Sequence, residues 1–139
     1  MYLLDTNICI HIIKKIPVKI IEKISSLDPF EIKISSITVA EMEYGAAKSA
    51  NCEINKHALK RFLSSFKIIN FDTKDAEIYG IIRAEFERTG NIIGPYDLLL
   101  VAQALRWNYI FITNNIKEFQ RINRLKLENW VLNAKDAIE

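Results

Sequence analysis

The chain has 139 residues, enough for one domain with a buried core and too few for two of ordinary size. Half of the residues are hydrophobic and 26% are charged, the balance of a globular fold rather than of a disordered chain. The net charge of +2 is too small to establish a polyanion partner by itself.

The start, Met1-Tyr2-Leu3-Leu4-Asp5, lacks the basic flank and long apolar run of a secretory leader. No apolar stretch approaches the roughly 20 residues that span a bilayer. Cys9 and Cys52 stand far apart without metal-ligand spacing, so a cytoplasmic protein with unpaired thiols is expected.

Tyr2 to Leu4 is a short apolar run that ends in Asp5-Thr6-Asn7, where Thr6 or Asn7 can cap a helix carrying Ile8, Ile12 and Ile13. Pro17 opens a second helix in its first turn, with Val18, Ile20, Ile21 and Ile24 inside it. Ile32-Lys33-Ile34 alternates like a strand and Ser35-Ser36 ends it. Thr38 with Glu41 reads as a capping box that starts a helix running to about Lys48. A polar stretch, residues 49–55, leads into a helix ending near Ser65; Lys67 to Phe71 reads as a strand, and Thr73 with Asp75 starts a long helix to Arg88. Thr89-Gly90-Asn91 breaks that helix, and Gly94-Pro95 begins the most apolar one, through Leu105. Tyr109 to Ile112 is a strand, Asn114 to Phe119 a short helix, and Leu125 to Leu127 a last strand. Strands alternating with helices over the whole length predict an α/β fold, a parallel sheet covered on both faces.

Parallel sheets place ligands beyond the carboxyl ends of their strands. Asp5 falls there after the first strand, Glu41 in the first turn after the second, and Asp97 in the first turn after Gly94-Pro95. Thr113, Asn114, Asn115 and Glu118 follow the fourth strand, so four separate segments deliver oxygen-bearing side chains to one edge. Each acid also has a local reading. Asp5 can belong to a polar turn, Glu41 can be the reciprocal half of the Thr38 capping box, and Asp97 can answer the helix dipole. Glu43 falls on the opposite helix face from Glu41.

Two unit charges at 4 Å repel by roughly 4 kcal/mol at an effective dielectric near 20. Protonating some of the acids or binding a cation relieves that. Hard oxygen donors point to Mg²⁺ or Mn²⁺ rather than zinc, and such ions commonly act on phosphate substrates. His11 and His57 have no paired spacing and are read as structural or surface residues.

The same residues resemble a known family. Leu4-Asp5-Thr6-Asn7 is similar to the first motif of PIN-domain nucleases, Ile34 to Gly45 with Glu41 to the second, and Gly94-Pro95-Tyr96-Asp97 with Leu98 to Ala104 to the third. Thr113-Asn114-Asn115 with Glu118-Phe119, then Leu127 to Trp130, resembles the closing segment of the VapC toxins, and the likeness covers essentially the whole chain in order. It implies one PIN domain over residues 1–139: a three-layer α/β/α sandwich with a five-stranded parallel sheet. It also implies a Mg²⁺-dependent endoribonuclease, the toxin of a toxin–antitoxin pair. Carried over by position, Asp5, Glu41 and Asp97 are the metal-binding and catalytic acids. Many PIN domains have an aspartate where Asn115 stands; here Glu118, one helical turn on, is taken as the fourth acid, so one tightly held ion is expected and a second arrives with RNA.

Thr6 and Thr113 are candidates for hydroxyl contacts to a ligating carboxylate, with helix capping as the alternative. Arg83, Lys117, Arg121 and Arg124 are candidates for RNA phosphate contacts, or else a solvated basic face. The helices over residues 8–27 and 53–66, with Phe62 and Phe66, carry more apolar residues than one face needs, as in a protein that dimerises or grips a partner helix, unless they simply pack on the sheet. The family implies a homodimer and a VapB-like antitoxin whose C-terminal segment blocks the site, with initiator tRNA as the expected target.

Two readings compete. One is a non-catalytic RNA- or antitoxin-binding module on the same fold, motivated by Asn115. The other is an Asp-nucleophile phosphatase or phospho-receiver domain, which wants a Lys after a later strand; here Lys117 is displaced into the helix.

Overall fold

The computed structural model describes residues 1–131. In chain order the elements are β1 (Tyr2–Leu4), α1 (Thr6–Lys14), α2 (Val18–Ser25), a 3-10 turn (Pro29–Glu31), β2 (Ile32–Ser35), α3 (Ser36–Lys48) and α4 (Cys52–Leu63). Then follow β3 (Lys67–Ile69), α5 (Thr73–Arg88), α6 (Pro95–Trp107), β4 (Ile110–Ile112), α7 (Ile116–Phe119) and β5 (Lys126–Glu128). The strands form one five-stranded sheet in the order β3-β2-β1-β4-β5, with every pairing parallel.

Both faces are covered, which explains why the strands are short apolar runs. Successive residues point to opposite faces. Leu3 and Phe111 therefore enter one core with Ile82, Leu98, Val101 and Phe119, while Leu4 and Ile112 enter the other with Ile8, Ile20, Met42 and Leu59. Helices α5 to α7 cover the first face and α1 to α4 the second, the covering of both faces expected from the alternating pattern and the three-layer α/β/α sandwich that the resemblance implies. Each fully buried Leu, Ile or Phe contributes roughly 1.5–3 kcal/mol.

Several element ends differ from the sequence-based expectation. Helix α3 does not start at a Thr38 cap: Ser35 is its N-cap, accepting from the Ile37 N–H at 3.0 Å, and Thr38 lies inside the helix. Helix α5 is capped by Asp72, whose carboxylate accepts from the Lys74 and Asp75 N–H groups while Asp75 accepts from the Asp72 N–H. The third strand stops at Ile69, because the Phe71 N–H turns away to the Ser36 hydroxyl. Helix α6 has Pro95 in its first turn, where a missing N–H costs nothing. Among the described residues no helix is long and apolar enough to cross a membrane.

The strand order sets where a site can form. From β1 the chain steps outward to β2 and β3, then returns across the sheet to place β4 on the other side of β1. The crevice between the carboxyl ends of β1 and β4 is the topological switch point, where open α/β sheets bind ligands. Asp5 and Thr113 immediately follow those two strands.

Candidate active site

At the switch point the Thr113 hydroxyl donates to Asp5 Oδ2 at 2.9 Å, joining residues 108 apart in sequence. The same Thr113 oxygen accepts from the Asn115 N–H at 3.0 Å, so its single proton is free for Asp5. Asp5 is 5% exposed and Thr113 0%, and the Asp5 N–H continues the sheet by donating to the Ile112 carbonyl at 2.9 Å. Burial pushes the Asp5 carboxyl above the usual range, the Thr113 bond and the N–H groups of Thr6 and Asn7 pull it back, and the Glu41 charge pushes upward again.

One residue on, Thr6 donates to Glu41 Oε1 at 2.8 Å and also lies 3.1 Å from the Thr38 hydroxyl. Glu41 is thus not half of a capping box with Thr38; its carboxylate is held across the site by the start of α1. Asp97, half-buried in the first turn of α6, carries the clearest electrostatic signature. Its carboxyl is pushed up to about 6, first by burial and then by the charges of Asp5, Glu118 and Glu41. Glu118 itself accepts from the Asn115 side-chain amide. Among the described residues none of these four acids forms an ion pair.

The four acids are electrostatically coupled, yet they are not drawn into a compact coordination group. Among the described residues no three His, Cys, Asp or Glu side chains gather as a metal cluster. Asp5 rests on Thr113, Glu41 on Thr6 and Glu118 on Asn115, each on the nearest neutral donor. As a donor set they suit a hard divalent cation, being all oxygen, with Asp97's raised carboxyl registering negative charge that no ion pair balances among the described residues. The acids fit a Mg²⁺ or Mn²⁺ ion in chemistry.

The basic candidates divide. Arg83 is paired with Glu87 at 3.1 Å and also donates to the Tyr79 hydroxyl, so its charge is already engaged. Arg121 donates to the Glu118 carbonyl at 3.0 Å, to Asn91 Oδ1 at 3.3 Å and to the Ile92 carbonyl at 3.4 Å. It therefore ties the loop before Asp97's helix to the helix of Glu118, a bridge that the sequence did not signal. Lys117 and Arg124 are exposed and form no ion pair among the described residues. His11 meets the Ile16 carbonyl through Nδ1 and His57 is exposed, neither beside the acids. The thiol of buried Cys9 is pushed up by burial and by the Asp5 charge.

An apolar groove of about 310 Å³ adjoins the acids, lined by Ile10, Ile13, Met42, Ala46 and Leu59, with Thr6 and Glu41 also in its wall.

Comparison with known proteins agrees with this fold. The family model described as the PIN domain matches residues 2–125. The chain is 46% identical to ribonuclease VapC2 of Rickettsia felis, over 94% of this chain and 98% of that protein. It is 40% identical to the tRNA(fMet)-specific endonuclease VapC of Salmonella typhimurium, over 93% and 97%. The fold is similar to a crystal structure of VapBC2 from Rickettsia felis bound to a DNA fragment from their promoter, with TM-score 0.86 and 44% identity over 93% of this chain and 98% of that one.

Proposed function

This chain belongs to the PIN-domain family, in its VapC branch, and from that premise we propose that it is a divalent-metal-dependent endoribonuclease, the toxin of a type II toxin–antitoxin pair. The observation that carries the reading is the set of acids from four separate segments at one switch point, with no basic side chain paired to them among the described residues and Asp97 raised to about 6. An acid cluster left unbalanced beside a core is a site prepared for positive charge.

Asp5, Glu41 and Asp97 are the residues that would hold Mg²⁺ or Mn²⁺, with Glu118 as the fourth. A divalent ion there, when bound, supplies activation of water and stabilisation of the leaving oxygen in phosphodiester hydrolysis. The protein's own side chains do the positioning. Thr113 holds Asp5 in place across β1 and β4, and Thr6 orients Glu41. Asn115 stands where an acid is common in the family and donates to Glu118, so the fourth corner carries one charge instead of two. Lys117 and Arg124, exposed and free of ion pairs among the described residues, are suited to RNA phosphates. Arg83 and Arg121 act on RNA only through whatever donors their internal bonds leave.

The substrate is a structured RNA, with initiator tRNA proposed from the likeness to tRNA(fMet)-specific relatives. The groove beside Thr6 and Glu41 is suited to an apolar segment of a VapB-like antitoxin, which would cover the acids from there. Residues 1–139 act as one PIN domain in a cytoplasmic homodimer.

The test is cleavage of total cellular RNA by the purified chain with Mg²⁺, with EDTA, and with Asp5→Ala and Asp97→Asn. Cutting by wild type with Mg²⁺ alone supports the reading. Equal cutting by both variants, or cutting that ignores EDTA, overturns it.

A further inference from the structure

Resting on that reading of the acids, we propose that Thr38 is a positioning residue for the metal site, acting through Thr6 on the carboxylate of Glu41. Thr38 is 0% exposed, so its hydroxyl needs a partner inside the protein. Inside a helix a threonine usually bonds back to the carbonyl four residues earlier. Thr38 sits in the first turn of α3, and the residue four before it, Ile34, belongs to β2. Among the described residues its hydroxyl has one hydrogen-bond partner, the Thr6 hydroxyl at 3.1 Å.

The direction of that bond follows from proton counting. Thr6 has a single hydroxyl proton and two oxygens within reach, Glu41 Oε1 at 2.8 Å and Thr38 Oγ1 at 3.1 Å. The carboxylate is the stronger acceptor and the shorter contact, so the Thr6 proton goes to Glu41. Thr38 therefore donates and Thr6 accepts. The chain of hydroxyls runs Thr38 to Thr6 to Glu41, from buried helix to carboxylate. Each bond polarises the next. Without the Thr38 hydroxyl, Thr6 can rotate and Glu41 loses its fixed donor.

Thr38 and Glu41 are three residues apart on one helix, whereas Thr6 opens another. The triangle therefore also sets how α1 and α3 meet at the site. A Thr three positions before a Glu serves here as a tertiary tether.

The experiment uses the full chain and follows Mn²⁺ affinity by calorimetry, with melting in EDTA measured in parallel. Thr38→Val removes the hydroxyl at nearly constant shape, Thr38→Ser keeps it, and Glu41→Gln is the reference. Supporting residues of metal sites change affinity by about 10–100-fold when lost. Acting through one more hydroxyl, Thr38→Val is expected near the lower end, about 10-fold weaker. Thr38→Ser is expected to restore affinity to within about twofold of wild type. Should Thr38→Val fail to fold, Thr38→Ala carries the same comparison without an apolar branch.

Wild-type affinity in the hydroxyl-free variant, with Glu41→Gln weakened, overturns the tether and leaves the nuclease reading standing. Undiminished binding in Glu41→Gln removes Glu41 from the metal site, and the tether falls with that part of the assignment. Loss of affinity that Thr38→Ser does not rescue makes Thr38 a packing residue only and also overturns the proposal.

Discussion

Two acid clusters flank helix α6 and solve the same problem in opposite ways. At the start of α5, Asp72 and the fully buried Asp75 share the Arg106 guanidinium, which reaches Asp75 at 3.2 Å and Asp72 more closely. Gln103 adds an amide donor to Asp75 at 3.5 Å. Asp72 is held down to about 2, chiefly by the Arg106 bond and then by the Asp75 N–H. At the start of α6 no arginine or lysine pairs with Asp97 among the described residues, and its carboxyl stands near 6. The first cluster has its counter-charge within the fold; the second has no basic partner among the described residues. Acidic residues alone therefore do not mark a site here. What separates the two clusters is the counter-charge that the second lacks among the described residues.

The sharpest way to break that contrast is to neutralise one acid in each cluster. Asp97→Asn is expected to reduce RNA cleavage by at least about 100-fold, as loss of a metal ligand does. The same change relieves repulsion, so the metal-free protein is expected to melt a few degrees higher, by about 2–4 °C. Asp75→Ala is expected to act in reverse. It leaves the chemistry of the acid site in place but costs about 3 kcal/mol in urea unfolding, since it strips a buried partner from Arg106 and half of the α5 capping box. If Asp97→Asn destabilises as much as Asp75→Ala, the two clusters are alike and the contrast fails.

Proton linkage offers a second, smaller test with opposite signs. Asp72 has a folded value below its ordinary 3.8, so its stabilisation is present above about 4 and is lost as pH falls toward about 2. Asp97 has a folded value above 3.8, so the folded state holds the extra proton, and metal-free stability declines as pH rises from about 4 to about 6. Mn²⁺ must displace that proton, and affinity and cleavage are both expected to fall about tenfold per pH unit below 6. Calorimetric titration of the metal between pH 5 and 7.5 measures the slope; a flat profile would remove Asp97 from the ligand set. Smallest of all, Arg124→Ala is expected to raise KM for RNA about two- to fivefold and to reduce the salt slope by about one, with kcat unchanged.

Much of this contrast was legible in sequence, but unevenly. Asp5 and Asp97 could be placed because each follows a break in apolar patterning, after a strand or at Gly94-Pro95, and strand ends are where parallel sheets bind. The α/β order and the two-faced burial followed from short apolar strands alternating with helices. Thr38 was misplaced because Thr-x-x-Glu looks identical whether the hydroxyl caps its own helix or crosses to another. Only the earlier cap at Ser35 frees it. The Asp75–Arg106 pair was invisible because its members lie 31 residues apart and meet only when α5 packs on α6. The carbonyl bonds of Arg121 were not legible, because a basic residue in sequence carries no mark of the carbonyls it will bind.

The bond between Thr113 and Asp5 has a consequence for timing. Its two ends are 108 residues apart, and β1 acquires its β4 neighbour only after two other strand-forming segments and most of the helices have been made. A ribosome delivers about 5–20 residues per second, so the crevice has no second wall until nearly the whole chain has emerged. An unfinished copy therefore has Asp5 at a bare sheet edge with no crevice around it. Late assembly means that the crevice, and any surface a partner could cover there, exists only once β4 has joined the sheet beside β1.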